Sequence, residues 1–536
     1  MTLVEAYAYN AQHRIDEVAS NGFLQHAEYN NSGLLSNTTI QFGNTDRVTQ
    51  QYTYGSMTEL SEYGVSYGAK ANIYKYEYDS RGNITQITID STTSYDEKII
   101  KYTYDTANQL IQEENELTNR AWIMTYDDAG NMTRREEYLY VNGELGRLLS
   151  TQTFTYGKNG WGDVLTGING TTVASDAIGN ITNDGTWTFT WKNGRQLAAM
   201  ENDSERWDFS YDASGMRTQR SNGNTTYKYT YEGTTLTQMT VGSNTLIFAY
   251  GVNGHPMGVK YNGTSYYYVT NAFGDVLAIV DNSGNELVAY RYDAWGNILS
   301  TTGSMASTLG TYNPLRYRGY VYDQETGLYY LQSRYYNPAI CRFISADSIS
   351  SLGAGGTAQS YNLFAYCGNN PVSYRRSTVS NGVYKYISSS DSAYSNPSQT
   401  GGATIIAIED VNELLYEFSV SLGANGSQYP EVYAFKALEI FSMAVDINNA
   451  FDESLIEDHS MLQLTANVGL TLGKNIVAYN VSNSVTATVS TLTAAKLGAI
   501  GSLAGPVGIL VGVFAGFIIG YTIDECGEII IEFIIG

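Results

Sequence analysis

The stretch RYRGYVYDQETGLYYLQSRYYNPAICRFISADS, residues 316–348, holds seven tyrosines in 33 residues, with one cysteine and no histidine. Tyrosine is unusual throughout the chain: there are 47 Tyr and 53 Gly against only 7 Pro, and 15% of the residues are charged. This composition is typical neither of a helical bundle nor of a disordered chain. It predicts a protein that is mainly β.

Repeats extend upstream from this stretch. Each copy has a tyrosine, an aspartate beside it and a glycine three residues after the aspartate, and the spacing between copies is mostly near 20 residues. Each unit predicts a β-hairpin in which Asp opens the turn and Gly or Asn takes positive φ. When hairpins stack side by side, the edge strand of each one pairs with the next, so its backbone N–H and C=O groups are not left unpaired. The clearest copies are YEYDSRGNITQI (76–87), MTYDDAGNMTRR (124–135), FSYDASGMRTQR (209–220) and YRYDAWGNILS (290–300).

Charge and residue type exclude several kinds of function. The net charge of −23 disfavours nucleic acid as a surface partner, because phosphate selects Lys and Arg. Three cysteines over 536 residues form neither a disulfide framework nor a CxxC metal pair. No two of the four histidines share a metal-ligand spacing, so we expect no metal and no cofactor. The histidines are His13, His26, His255 and His459.

The repeats at about 5–300, followed by NPLRYRGYVYDQETGLYYLQSRYYNPAICRFISAD and NLFAYCGNNPV within 312–372, resemble the RHS/YD-repeat family of bacterial polymorphic toxins and teneurins. The resemblance implies a hollow β-shell of YD hairpins over residues 1–311. It also implies a core segment, here called the plug (residues 312–372), that closes one end. A variable C-terminal toxin domain would follow and be held inside the shell. We expect too few repeats here for complete closure.

The same resemblance implies roles and partners. The tyrosines would be architectural, packing the shell wall and placing each hydroxyl on a partner, with carbohydrate contact by the wall as the alternative. A cognate immunity protein and a secreted or cell-surface location would be expected. The first residues, MTLVEAYAYN, have no basic and apolar leader. We therefore expect no signal peptide in this chain, and expect it to be the distal part of a longer architecture.

Self-cleavage is the only catalysis that the resemblance implies. Self-cutting members carry one Asp-Pro near the end of the RFISADP segment and a second Asp-Pro-Gly after NNPV, and the two carboxylates act as a pair. Here Asp347 is present but is followed by Ser348, and the residues directly after Val372 read SYRRSTVS, without the second aspartate. A carboxylate dyad needs one protonated and one ionised member. We therefore expect Asp347 to be a turn residue and the chain to stay intact.

The sequence pattern changes after residue 372, where the Tyr-Asp turns stop and tyrosine becomes less frequent. Residues 373–402, which include SSSDSAYSNPSQTGG, are predicted as a linker. Residues 403–536 are predicted as a separate, mostly α-helical effector domain, with helical apolar periodicity at 411–422 and 430–447. From residue 373 to the end there are 6 basic and 16 acidic residues. This acidity disfavours a nuclease.

An apolar segment near the end is the most informative feature of this region. Residues 497–523, LGAIGSLAGPVGILVGVFAGFIIGYTI, contain no charge, and a helix over 507–523 would extend about 25 Å, close to a bilayer core. Glycines spaced by four favour close helix association in a membrane, and in water each would cost about 1 kcal/mol relative to Ala. The alternative is a buried small-residue hairpin. The stripe comprises Gly501, Gly505, Gly508, Gly512, Gly516 and Gly520.

Three functions remain open on the sequence alone. The first is a toxin cassette whose C-terminal effector inserts into a target-cell membrane through the glycine stripe and has no active site. The second is a surface or adhesion protein with a YD body and an anchoring helix. The third is a toxin with an enzymatic C-terminal domain that no motif discloses.

Overall fold

The computed structural model describes residues 5–376 apart from 43–44, 93–96, 159, 349–351 and 353–357, and beyond them three short strands. The chain divides into two compact units, Met1–Tyr394 and Ser395–Gly536. This boundary lies within the predicted linker, 373–402. The mostly helical character was predicted for residues 403–536. Of these, the structure describes only the two short strands near the end of the chain, and the rest lie outside the described residues.

The repeats form two large antiparallel sheets in which each strand pairs with the strands before and after it in the chain. The first sheet has fifteen strands: β1 Glu5–Tyr9, β2 Ile15–Ser20, β3 Phe23–Tyr29, β4 Leu35–Phe42, β5 Thr45–Tyr54, β6 Leu60–Tyr67, β7 Lys70–Tyr78, β8 Ile84–Ser91, β9 Lys98–Tyr104, β10 Leu110–Asn115, β11 Arg120–Tyr126, β12 Met132–Val141, β13 Glu144–Lys158, β14 Trp161–Ile168 and β15 Thr171–Thr172.

The second sheet has fourteen strands: β16 Ala174–Ser175, β17 Ile181–Asn183, β18 Thr188–Lys192, β19 Gln196–Glu201, β20 Arg206–Tyr211, β21 Arg217–Ser221, β22 Thr226–Glu232, β23 Thr235–Val241, β24 Asn244–Tyr250, β25 Pro256–Tyr261, β26 Thr264–Thr270, β27 Val276–Val280, β28 Glu286–Tyr292 and β29 Ile298–Thr302. The mainly β fold is confirmed, although the wall is two sheets that separate at Val173 and not one continuous sheet.

The plug is compact and has little regular structure. A short helix, α1 (Leu309–Tyr312), precedes a four-stranded sheet of β30 Val321–Asp323, β31 Leu328–Leu331, β32 Arg334–Asn337 and β33 Arg342–Phe343. Its described residues also include 3-10 helices at Tyr317–Gly319, Pro338–Ile340, Ala358–Tyr361 and Cys367–Asn369. The remaining strands form two pairs, β34 Tyr374–Arg376 with β35 Tyr384–Tyr386, and β36 Tyr521–Ile523 with β37 Ile529–Ile531.

The aspartate of each repeat builds the turn with its own side chain. In the repeat at 76–87, Asp79 Oδ1 accepts hydrogen bonds from the backbone N–H groups of Arg81 and Asn83, both at 2.9 Å, and Gly82 has φ +82°. Aspartate is favoured in this turn because its short carboxylate accepts hydrogen bonds from backbone N–H groups, as a backbone carbonyl does in other turns. The same pair of bonds recurs at Asp105, Asp127, Asp176, Asp212, Asp281 and Asp293.

The tyrosine before each turn connects one repeat to the preceding one. Tyr126 donates its hydroxyl to the carbonyl of Leu110 at 2.7 Å. Phenylalanine would fill the same space but leave that carbonyl without this donor. Equivalent bonds run from Tyr29 to Ile15, Tyr54 to Leu35, Tyr78 to Leu60, Tyr104 to Ile84, Tyr156 to Met132, Tyr211 to Leu197, Tyr250 to Leu236 and Tyr292 to Val276.

Replacing Tyr126 by Phe should lower the free energy of unfolding by about 1 kcal/mol, because one partly buried hydrogen bond is lost while the ring is kept. The measurement is the midpoint of urea unfolding. The control is Tyr361→Phe. Because Tyr361 is 61% exposed, the loss of its hydroxyl should not change the free energy of unfolding. Equal shifts in the two variants would contradict the role assigned to the Tyr126 hydroxyl.

The two sheets pack face to face. Phe23 of β3 meets Tyr267 of β26 edge to face, with ring centroids 5.5 Å apart. The Tyr63 hydroxyl of β6 donates to the carbonyl of Thr270 at 2.7 Å. One hydrophobic core runs through both sheets and the plug. The large antiparallel sheets are consistent with the expected β-shell of YD hairpins, and aromatic side chains of both sheets contact each other in its core.

Candidate functional site

The plug is attached to the turn at 294–296 by tyrosine hydroxyls. Tyr317, Tyr336 and Tyr329 donate to the carbonyls of residues 294, 295 and 296 in that order, at 2.8–2.9 Å. All three tyrosines are buried. Burial raises the pKa of each hydroxyl well above its usual value, so the hydroxyls remain protonated donors. Three of the seven tyrosines in residues 316–348 therefore hold the plug on the second sheet.

Asparagines of the plug reach the turns of the first sheet. The side-chain amides of Asn362, Asn369 and Asn370 donate to acceptors in the turns at 79–83 and 127–131, at 2.6–2.9 Å. All three asparagines are buried. Because the same plug also bonds to the second sheet, it joins the turn ends of both sheets.

A buried ion network fixes the plug strand β30 to the second sheet. Arg217 is fully buried and pairs with Asp323, with Nη2 donating to Oδ1 at 2.9 Å. The Arg217 guanidinium also lies over the rings of Tyr330 and Tyr229, 4.4 and 4.7 Å from their centroids. Burial alone would lower the pKa of Arg217, but Asp323 and the surrounding groups raise it well above the ordinary value. The arginine therefore stays charged in the core.

Asp347, the tentative catalytic residue, lies at the end of the plug. Its Oδ2 pairs with Arg334 at 2.5 Å, and its Oδ1 accepts from the backbone N–H of Ser348 at 2.8 Å. Its own N–H donates to the carbonyl of Leu363. Within the part of the chain that the structure describes, no second carboxylate contacts Asp347. The arrangement is a turn held by an arginine and lacks the partner that an aspartyl dyad needs.

The purified chain should therefore stay intact, because Asp347 has a cationic partner where a dyad would have a second acid. Intact-mass spectrometry after prolonged incubation at pH 5 and pH 7 measures this directly. Scission between Ser348 and Ser390 that disappears in Asp347→Asn would contradict the prediction.

The glycine stripe from Gly501 to Gly520 lies outside the described residues. The last three residues of the predicted spanning segment, Tyr521–Ile523, are a β-strand paired with Ile529–Ile531. A helix reaching Ile523 is therefore wrong, and the segment that remains for a helix is 497–520. Among the helices that the structure describes, none combines the length and apolar character required to cross a membrane. Among all the residues that the structure describes, no group of three His, Cys, Asp or Glu side chains is placed to bind a metal ion.

A second buried charge cluster lies where the two sheets meet the plug, and sequence reasoning did not find it. Glu113 of β10 is 1% exposed, and it accepts hydrogen bonds from the backbone N–H of Ala294 at 2.9 Å and from Asn115 at 3.0 Å. The neighbouring Asp293 pairs with Arg135 of β12. Burial, and then the charge of Asp293, raise the pKa of Glu113 to about 8. Glu113 is therefore protonated at neutral pH.

This cluster lines a cavity of about 270 Å³ between the two sheets. Its lining runs from the partly exposed ion pair Lys70–Glu286 to the buried Glu113. A further buried pair, Asp275 and Arg318, lies in the same lining, with Nε and Oδ1 3.7 Å apart. The cavity thus combines aromatic and aliphatic side chains with several buried charges.

Comparison with known proteins identifies the described unit. The sequence model of the teneurin YD-shell family matches residues 4–372. The chain is 34% identical to the tRNA3(Ser)-specific nuclease WapA of Bacillus spizizenii over 374 residues, which cover 60% of this chain and 15% of the relative. It is 24% identical to the double-stranded DNA deaminase toxin A of Burkholderia cenocepacia over 383 residues, covering 61% and 25%.

Similarity extends to an animal protein and to a solved toxin structure. Human teneurin-4 is 22% identical over 340 residues, covering 62% of this chain and 11% of the relative. The crystal structure of TcdB2-TccC3-Cdc42 matches with a TM-score of 0.52 at 18% identity, over 69% of this chain and 21% of that one. That likeness shows the fold alone. The chain spans a quarter or less of the length of each of these proteins.

Proposed function

The chain belongs to the teneurin YD-shell family, and from this premise we propose that residues 5–376 are the scaffold of a toxin cassette whose effector is the region 403–536. The observation that carries the proposal is the plug, which joins the turn ends of both sheets immediately before the change in sequence texture at residue 373. Two relatives are named a nuclease and a deaminase toxin. A target-cell membrane and a cognate immunity protein are the partners that this function requires.

We propose that the effector acts on membranes. The support is the uncharged segment 497–520, whose 24 residues would extend about 36 Å as a helix, and its glycines spaced by four. Charge argues against the alternative, an enzyme acting on nucleic acid as the names of the relatives suggest. Residues 403–536 contain 3 basic and 15 acidic residues, whereas a nucleic-acid groove is normally basic.

Most wall tyrosines are not available for contact with carbohydrate. Among the described residues, Tyr9 and Tyr361 are the tyrosines with highly exposed side chains, at 46% and 61%. The other tyrosines of the two large sheets and the plug whose burial the structure describes are buried or half-buried. The scaffold function therefore accounts for the tyrosines better than an adhesive wall does.

Inducible expression of the whole chain in a bacterial host, in cytosolic and exported forms, tests the effector. We expect loss of membrane potential with intact cellular DNA and tRNA, and reduced loss in the variant Gly512→Leu/Gly516→Leu, because Leu keeps the segment apolar but separates helices that pack through glycine. A chain ending at residue 376 is the control and should be harmless. Degraded or deaminated nucleic acid with unchanged membrane potential would favour the enzymatic alternative.

A further inference from the structure

The deep end of the cavity between the sheets has more buried acids than bases. Three carboxylates, Glu113, Asp275 and Asp293, line it together with the guanidinium of Arg318, and Arg135 pairs with Asp293 from outside the lining. The three acids and Arg135 are buried, and the side chain of Arg318 is 5% exposed. Buried charges of one sign require compensation by a partner, a proton or a bound ion. Burial, and then the charge of Asp293, raise the pKa of Glu113 to about 8, which favours its protonated form at neutral pH.

The other charges that line the cavity do not supply the missing positive charge. Lys70 is paired with Glu286 at 3.3 Å, and both side chains are partly exposed. Arg291 is also only partly buried, and it donates to the carbonyl of Tyr290. Solvent screens charges in such positions. Tyr102, which lies opposite Glu113 on the neighbouring strand, is a buried titratable hydroxyl. Burial, and then the charge of Glu113, raise the pKa of Tyr102, so its hydroxyl stays neutral.

The walls of the cavity are aromatic. Tyr76, Tyr102, Tyr292, Tyr317 and Phe273 all line it. Aromatic faces attract cations through the ring quadrupole, and the attraction is larger when the site excludes water. Arg318 already lies over the rings of Phe273 and Tyr317. The remaining aromatic side chains, beside a buried acid for which the described residues show no ion pair, are chemically matched to an organic ammonium ion. The cavity volume of about 270 Å³ is near the lower end of the range for ligand pockets, which suits a small cation.

We propose that this cavity is a binding site for a small organic cation, which replaces the proton of Glu113. Binding converts the Glu113 carboxylic acid to a carboxylate beside the ammonium group, and the proton leaves to the buffer. The charge of the cluster is the same before and after binding. The cavity lining extends to the partly exposed Lys70 and Glu286, which gives the cation a route from solvent to the buried acid.

Calorimetric titration of the intact chain with choline tests this inference. At pH 7 we expect saturable binding with a Kd of about 1 mM or tighter, and release of up to one proton, read from the difference between buffers of different ionisation enthalpy. The neutral isostere of choline, 3,3-dimethyl-1-butanol, should not bind. Raising the pH above that at which Glu113 ionises should abolish proton release while binding is retained.

Two variants assign the effect. Glu113→Gln should weaken choline binding at least about tenfold, which is about 1.4 kcal/mol, and should abolish proton release, because two carboxylates then balance two guanidinium groups. Glu77→Gln is the matched control, since Glu77 is an exposed acid on β7. No choline binding up to about 10 mM, equal binding of the neutral isostere, or unchanged binding by Glu113→Gln would each overturn the proposal.

Discussion

Replacing Asp323 by Asn should lower the free energy of unfolding by about 3–5 kcal/mol, because the change leaves a buried guanidinium without its counter-charge. Asp323 is fully buried and pairs with both Arg217 and Arg220. Urea unfolding followed by tryptophan fluorescence measures the loss, since Trp207 lies against the Arg220 guanidinium at 4.8 Å.

The control for this change is Asp208→Asn. Asp208 pairs with Arg206 at 2.8 Å, but its side chain is 59% exposed, so the expected loss is below about 1 kcal/mol. Adding Arg217→Met to Asp323→Asn should restore part of the lost stability, because it removes one unpaired buried charge. Equal losses at Asp323 and Asp208 would contradict the importance assigned to the buried network.

Replacing Glu113 by Gln should stabilise the protein at neutral pH and remove part of its pH dependence. The folded-state pKa of Glu113 is raised to about 8 from 4.5. Between these values the unfolded chain has lost the proton that the folded chain keeps, so stability falls by about 1.4 kcal/mol per pH unit as pH rises. Below the lower value and above the higher one, this residue contributes no slope.

The measurement is the difference in unfolding free energy between the wild type and Glu113→Gln across pH. The variant should gain about 3 kcal/mol relative to the wild type between pH 5 and pH 7.5, and Glu77→Gln should gain nothing. Parallel pH profiles for the wild type and Glu113→Gln would show that Glu113 is ionised in the folded protein, against the protonated state described above.

Local features of the fold follow from the repeats. The Tyr-Asp-x-x-Gly spacing predicts the hairpins, since Asp79 closes its turn through its own side chain and Gly82 supplies the positive φ. The lack of an aspartate directly after Val372 is visible in the sequence, whereas the pairing of Asp347 with Arg334 was not predicted. The turns depend on residues a few positions apart, where geometry is fixed by the chain itself.

The contacts between the sheets could not be predicted in the same way. Period-2 alternation shows that one face of a strand is buried, but it does not say which distant strand covers that face. Glu113 and Ala294 are 181 residues apart in the chain, and Arg217 and Asp323 are 106 apart. The strand that carries Glu113 reads LIQEEN and has a second acid beside it, so the sequence alone does not show which acid is buried.

The membrane-active effector is tested most directly by dye release from liposomes with the purified whole chain. Four acids, Asp524, Glu525, Glu528 and Glu532, follow the apolar segment, and each costs at least about 2.5 kcal/mol at the bilayer centre while ionised. We therefore expect release that is stronger at acidic than at neutral pH and is lost in Gly512→Leu/Gly516→Leu while membrane binding remains. Equal release by the variant would contradict helix association through glycine, and no release or binding at either pH would contradict the membrane-active effector itself.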